Sequence, residues 1–372
     1  MSKITVIGAG NGGVTAAYHF AKEGHKVCVY DNPLFATQIN AIKEKGGIKA
    51  LEREDDTEFC FPGFEHIDLA TTNIQKAMEY SDIFVMVCPS FAQEVLFSEM
   101  LPYLKDGQTV LLMPGNYGGL VLKRILKEKG LSHLDISIAD AVSIPWACRI
   151  TEPAVISIMG IKEFLPVSIM SNKVDDVKEK LDEILPVPVE VLENPIVAGL
   201  ENINFGGHPL LTTLNMGLLE NYNGQFNYYG DCCSMATARA AARMDKERLS
   251  VGKELGVRLR TELEAMNALY ACNCKSVYEF NRGSVTHGKI HNAPSDSKSR
   301  YVTEDVPYLL VPCYELATKL GIRVPIVESC IHIASAYNET DYFETGRTLA
   351  RMGFQEGLTK EQFIEEFNKL RF

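Results

Sequence analysis

The chain has no block of lysine or arginine dense enough to follow a phosphate backbone. Its 37 basic residues are outnumbered by 48 acidic ones, for a formal net charge of −11. That balance argues against nucleic acid as a partner. An acidic protein also cannot attract a small carboxylate through its overall field, so such a substrate would need a local basic group. Long apolar runs are missing too: no segment reaches the roughly 18 residues of a membrane span. Met1-Ser2-Lys3 leads straight into the apolar Ile4-Thr5-Val6-Ile7, which leaves no room for a signal peptide. The ten cysteines lack the paired CxxC or Cys/His spacing of a zinc site. Several (Cys28, Cys88, Cys313, Cys330) sit in apolar stretches, where a free thiol packs as a small hydrophobe. Neither a disulfide framework nor a metal is expected, and the reading is a cytoplasmic protein.

What is present is organised in two textures. With 372 residues the chain is long enough for two domains of about 100–200 residues each. Residues 1–195 alternate apolar runs with amphipathic segments: strand Lys3–Ile7, helix Gly12–Glu23, strand Lys26–Tyr30, then the runs Ile83–Cys88 and Thr109–Met113. Continuous apolar strands between helical patterns are the signature of a doubly wound parallel sheet covered on both faces. Ala154–Met159 and Val187–Leu192 are expected to complete that sheet, with a helix over Val174–Leu185 between them. Residues 196–372 read as all-helical, with long patterns at Asp231–Leu255, Asp305–Leu320, Ile326–Tyr337 and Thr359–Leu370. Thr359 and Gln362 have capping-box spacing, and Asn221-Tyr222-Asn223-Gly224 is a turn signal. The polar stretch from Asn281 to Tyr301 is expected to be a long surface loop.

Gly8-Ala9-Gly10-Asn11-Gly12-Gly13 follows the first strand and opens the first helix, and the second strand ends in Asp31. Gly8 makes the tight turn, Gly10 lets a pyrophosphate approach the backbone, and Gly13 lets helix and strand pack closely. The helix N-terminus faces the phosphates, and Asp31 accepts hydrogen bonds from the ribose hydroxyls. Asn32, Pro33 and Leu34 supply no cation for a 2′-phosphate, so NAD is favoured over NADP.

Ligands in open α/β sheets lie beyond the carboxyl ends of the strands. Met86-Val87-Cys88-Pro89-Ser90 and Met113-Pro114-Gly115-Asn116 occupy two such ends. Pro89 therefore belongs with the cofactor-binding residues, and Asn116 is a candidate to bind a substrate carbonyl or carboxylate. The other reading of Asn116 is an Asx-type turn residue.

His19, His25, His66 and His133 read as surface or core residues. His208 is different, standing in Gly206-Gly207-His208-Pro209 just after the change of texture. The glycines would let a cofactor or substrate close to the backbone, and Pro209 would start a helix. A histidine so placed is a candidate acid/base, with packing or helix capping as the alternative. Farther on, Arg300 could bind a carboxylate bidentately. Asp305 could orient a histidine, or simply cap the helix that follows.

The order of these motifs resembles the opine (octopine/nopaline-type) dehydrogenase family. The features that carry the likeness are the glycine loop, Pro114-Gly115, Ile144-Pro145-Trp146-Ala147-Cys148-Arg149, Asn204 through His208-Pro209, and Arg300-Tyr301 through Glu304-Asp305-Val306-Pro307. The resemblance spans nearly the whole chain. It implies NAD(P)H-dependent condensation of a 2-keto acid, often pyruvate, with the amine of an amino acid. It also implies His208 as acid/base, Asp305 as its partner, and Arg300 on the substrate side, while Asn116 stands in a loop position where some relatives carry other polar residues. Cys148 matches a family cysteine near the substrate, or else is a buried thiol. Trp146, the single tryptophan, stands where the family tends to have tyrosine. A homodimer is compatible with this reading.

Two other readings compete. Ketopantoate or glycerol-3-phosphate dehydrogenase-like reductases usually rely on a lysine, and none lies between Asn194 and Gln225. A non-catalytic NAD(H) sensor would have no use for His208 or Asp305.

Overall fold

The computed structural model describes residues 1–54, 56–283 and 293–370. It separates into two compact units, residues 1–195 and the described residues from 196 onward.

The first unit is built on an eight-stranded sheet. Its strand order is Leu69–Thr71, Lys26–Tyr30, Lys3–Ile7, Ile83–Met86, Thr109–Leu112, Ser137–Ala141, Leu165–Met170 and Val189–Leu192. The first six strands pair in parallel and follow the 3-2-1-4-5-6 order of a dinucleotide-binding fold. Leu165–Met170 then runs antiparallel to Ser137–Ala141, and Val189–Leu192 pairs parallel with it. The central strands Ile83–Met86 and Thr109–Leu112 are buried at every position, which is why they read as unbroken apolar runs.

One expectation is corrected. Val155–Ile161 does not extend this sheet; it belongs to a separate four-stranded sheet with Trp146–Glu152, Gly47–Ala50 and Gly63–His66. Hydrophobicity marks a strand as buried, but partner choice is non-local. The antiparallel hairpin with Trp146–Glu152 and the bond from the Lys49 N–H to the Ala154 carbonyl draw Val155–Ile161 away from the main sheet. The expected helix over 174–185 is present as Val174–Ile184.

The second unit is helical, with no strand among its described residues. Its longest helix, Met235–Glu254, starts four residues later than Asp231, because Ser234 and Thr237 form a reciprocal capping box there. The Glu247 carboxylate accepts from the N–H groups of Ile326 and Val327 at 3.0–3.1 Å, capping helix Pro325–Asn338 from a neighbouring helix. The expected Thr359–Gln362 capping box is present on helix Lys360–Asn368. The pattern over Asp305–Leu320 resolves into a π-helical turn, Val306–Leu310, running into α-helix Val311–Leu320. Of the expected loop from Asn281 to Tyr301, residues 281–283 close helix Val277–Gly283 and residues 300–301 open helix Arg300–Thr303. Residues 284–292 of that stretch lie outside the described residues.

Candidate functional sites of the two units

In the first unit each glycine of the loop has a physical reason. Gly8 has φ +100°, and a Cβ there would lie 2.3 Å from the Val87 carbonyl oxygen. At Gly13 a Cβ would fall 1.8 Å from the carbonyl oxygen of Gly8, so only glycine lets this helix start against its own strand. Gly10 has nothing within 4 Å of a Cβ position, leaving its face open for a phosphate. Gly10 is also the N-cap of helix Asn11–Lys22 and brings no side-chain cap. The first-turn N–H groups are therefore available to an anion. This cradle fits a nicotinamide dinucleotide.

Other loop residues are tied down by the protein. The Ala9 N–H donates to Asp31 Oδ2 at 2.8 Å, and the Asn32 N–H to Asp31 Oδ1 at 2.8 Å. Burial pushes the Asp31 carboxyl up from its ordinary pKa, and these two backbone donors draw it back. Asp31 thus braces the glycine loop. Asn11 accepts from the Ile150 N–H at 2.7 Å and, through its carbonyl, from the Cys148 thiol at 3.5 Å. Cys148 is 2% exposed, and burial raises its thiol pKa, which keeps it an unreactive thiol. Its place is behind the glycine loop, against the Asn11 carbonyl.

Pro89 precedes the short helical turn Ser90–Ala92 at the end of strand Ile83–Met86. Asn116 is buried, has φ +48°, and donates from Nδ2 to Ser90 Oγ at 2.9 Å. That bond joins the two strand-end loops singled out in the sequence. Trp146 donates from Nε1 to His19 Nδ1 at 3.2 Å inside the core, while His66 and His133 bond nearby carbonyls. These histidines are structural.

In the second unit His208 links two short helices, Asn204–Gly207 and Pro209–Leu214, as Pro209 led one to expect. Its side chain caps neither. Instead Nδ1 lies 2.8 Å from Asp305 Oδ2, and Nε2 lies 3.0 Å from the Tyr229 hydroxyl. The ring stacks on Tyr301 with centroids 3.7 Å apart and planes within 4°. Burial raises the Asp305 carboxyl above its ordinary pKa; the hydrogen bond to His208 and its charge pull it back. Asp305 does not cap the following helix. Arg300 pairs through Nε with Glu304 Oε2 at 2.5 Å, with the arginine largely exposed and the glutamate buried. Its positive charge also favours the ionised form of Asp305.

The segment leading to His208 is held from below. Arg260 clamps Glu201 through Nε at 2.9 Å and Nη2 at 2.7 Å, and buried Arg248 donates to the Leu200 carbonyl at 2.8 Å. The expectation for Gly206 is revised. Its bare Cα admits the buried carboxyl of Glu262, whose Oε2 would lie 2.8 Å from a Cβ, where a ligand was expected. Both Glu262 oxygens lack a hydrogen-bond partner, and burial pushes its pKa up to about 8. Sequence reasoning missed Glu262, Tyr229, and Lys162 of the first unit. Lys162 donates to Ser143 Oγ and, at 2.8 Å, to the Ile144 carbonyl, and burial pulls its pKa down to about 7. No motif surrounds any of the three.

A dinucleotide-binding sheet with an acid after its second strand, followed along the chain by a helical unit carrying a buried His–Asp pair, defines an NAD-dependent dehydrogenase. Residues 191–338 match the family model for the NAD/NADP octopine/nopaline dehydrogenase α-helical domain. Residues 3–115 match that for the NAD-dependent glycerol-3-phosphate dehydrogenase N-terminus. Over nearly its whole length the chain is similar to opine dehydrogenases, and its helical unit matches the octopine/nopaline dehydrogenase model. It is 29% identical over 356 residues to an opine dehydrogenase of Arthrobacter sp. (strain 1C), covering 95% of both chains. Vitopine synthase of Allorhizobium ampelinum is 26% identical over 358 residues, again with 95% of each chain covered. Among solved structures, octopine dehydrogenase in complex with NADH and agmatine superposes with a TM-score of 0.77, at 20% identity and 98% coverage of both chains. Among the described residues no helix is long and apolar enough to cross a membrane, and no group of three His, Cys, Asp or Glu could hold a metal ion.

Proposed function

We propose that this protein reduces the imine formed between a 2-keto acid and the amine of an amino acid, giving a secondary-amine dicarboxylate. The observation that carries the reading is the His208–Asp305 pair, buried at 9% and 5% exposure and joined at 2.8 Å. NADH, when bound on the Gly8–Gly13 loop with its ribose at Asp31, supplies the hydride. Every other role falls to side chains of the chain itself.

His208 first takes a proton from the substrate ammonium, freeing the nitrogen lone pair to attack the keto carbon. It then returns that proton to the carbinolamine hydroxyl, which departs as water. The carbon–nitrogen double bond that results accepts the hydride at carbon. Asp305 holds the imidazole by Nδ1 and stabilises its charged form, so both transfers pass through Nε2. Arg300, largely exposed beside Glu304, is placed to meet a substrate carboxylate. Asn116 and Ser90 serve the substrate or the nicotinamide end of the first unit.

The test is a steady-state assay with purified protein, NADH, pyruvate and pools of amino acids, following NADH by its near-ultraviolet absorbance. Amine-dependent NADH oxidation is expected. Oxidation with a keto acid alone would mean a simple keto-acid reductase. Tight NADH binding with no turnover for any keto acid and amine would mean a sensor.

A further inference from the structure

Cofactor choice in a dinucleotide-binding fold turns on the adenosine ribose, whose 2′ position carries a hydroxyl in NAD and a phosphate in NADP. That phosphate brings close to two negative charges near neutral pH, so each fixed charge around the end of the second strand bears on it. Asp31 is the first such charge. A second comes from far along the chain. Glu99, in the last turn of helix Gln93–Met100, accepts from the Tyr30 hydroxyl through Oε2 at 2.8 Å and from Asn32 Nδ2 through Oε1 at 3.0 Å. Tyr30 and Asn32 are the residues on either side of Asp31. Both partners are neutral, so neither cancels the charge of Glu99. The asparagine between the two acids is fixed as well. Its Oδ1 accepts from the Leu34 N–H at 3.1 Å, and its own N–H donates to Asp31 Oδ1 at 2.8 Å. Asn32 therefore holds Asp31 by its backbone and Glu99 by its side chain.

We infer that Glu99 is a second determinant of the preference for NAD over NADP, acting by its charge on the 2′ position of a ribose bound at Asp31. A carboxylate tolerates a hydroxyl there but repels a phosphate. Between partly exposed groups such repulsion reaches over about a Debye length, roughly 8 Å at physiological salt. The 3.0 Å bond to the Asn32 side chain keeps Glu99 within that range of the residue next to Asp31. The same bond holds the Asn32 amide nitrogen, the first side-chain donor after Asp31, toward Glu99 instead of leaving it to turn to a phosphate. A neutral acceptor would fasten the helix to the strand end equally well. What glutamate adds is the charge. Glu99 is thus a specificity-determining residue for the cofactor, set 67 residues beyond Asn32 in the chain, where no local motif marks it.

Glu99→Gln keeps the shape of the side chain and an acceptor for Asn32 while removing the charge. Binding of NADH and of NADPH is followed by the fluorescence of the reduced nicotinamide, with no keto acid or amine present, so the result does not depend on the imine chemistry. Kd for NADPH is expected to fall about threefold to tenfold, with Kd for NADH changed by less than about twofold. The difference between variant and parent should shrink as salt is raised to about 0.5 M, because screening removes the same repulsion from the parent. An unchanged ratio of the two Kd values overturns the inference. So does a ratio that shifts by the same factor at every salt concentration, or an equal shift for both cofactors, which is the mark of a purely mechanical clasp. If Glu99→Gln does not fold, Glu99→Ala decides by the same criteria. The inference rests on the ribose lying at Asp31, and Asp31→Ala tells the two failures apart. Undiminished NADH affinity in that variant places the ribose elsewhere and removes the ground for Glu99. Weakened NADH binding there, beside an unchanged ratio in Glu99→Gln, leaves the ribose at Asp31 and takes Glu99 out of the choice.

Discussion

The imidazole of His208 lies flat against the phenol ring of Tyr301, centroids 3.7 Å apart and planes within 4°, while Asp305 grips its Nδ1 from the edge. A ring held by its face and by one nitrogen is fixed in orientation, so Nε2 keeps one direction. Preorganisation of this kind removes the need to orient the group during reaction. Replacing the ring is therefore expected to remove the chemistry and spare the cofactor. His208→Ala should lower kcat by about 10²–10⁴-fold with NADH affinity nearly unchanged. Steady-state kinetics beside a fluorescence titration of NADH measures both, and equal activity in variant and parent refutes the assignment.

Asp305→Asn keeps the side chain's shape but removes its charge. Asparagine can offer Nδ1 either a donor or an acceptor, so the imidazole is no longer held in one protonation pattern. A drop of about a hundredfold or more in kcat is expected, with a smaller change in KM. A variant with the parent's kcat would show that the carboxylate does no more than pack against the ring.

Asp31 braces Ala9 and Asn32, and the proposed function also gives it the ribose, so its removal should show both. Asp31→Ala is expected to weaken NADH binding by about tenfold or more and to narrow the preference over NADPH, since a carboxylate repels a 2′-phosphate. Asp31→Asn, which can still accept from the Ala9 N–H, should recover part of the NADH affinity but not the discrimination. Unchanged NADH affinity in both variants would remove Asp31 from the ribose site.

Glu262 links stability to pH on the alkaline side. Its folded pKa is raised from 4.5 to about 8, so the neutral form is favoured by folding. The associated stability is fully present below the unfolded value and is lost as pH rises through about 8. A shift of that size corresponds to on the order of a few kcal/mol. Glu262→Gln should therefore leave Tm nearly unchanged in mild acid and raise it at about pH 9. A Tm–pH curve parallel to the parent's would contradict this.

Lys162 works in the opposite direction. Its folded pKa is lowered from 10.5 to about 7 by burial. A depressed amine contributes stability above its unfolded pKa and loses it as pH falls through the folded value near 7. Lys162→Met is expected to raise Tm most below about pH 7 and least in strong alkali. If the substitution lowers Tm at every pH, the bonds to Ser143 and Ile144 outweigh the burial of the charge.

Short-range physics made much of this protein legible in its sequence. Glycine tolerance decides Gly8, Gly10 and Gly13 within one turn of chain, and the acid at Asp31 follows at the distance a βαβ unit sets. Apolar period separates the sheet-forming first half from the helical second half. The Thr359–Gln362 capping box depends on residues three apart, so it too could be read directly. The pairing of His208 with Asp305 could be reached only through family resemblance, because 97 residues separate them. What joins distant segments was decided by tertiary structure alone. Val155–Ile161 left the main sheet because a hairpin partner offered better pairing. Gly206 turned out to make room for Glu262. Tyr229 and Tyr301 reached the histidine from two separate helices, and Lys162 acquired its depressed pKa from burial among residues that no local pattern brings together. A side chain's own sequence neighbours set its backbone, but its charge state and partners come from whatever the folded chain packs against it.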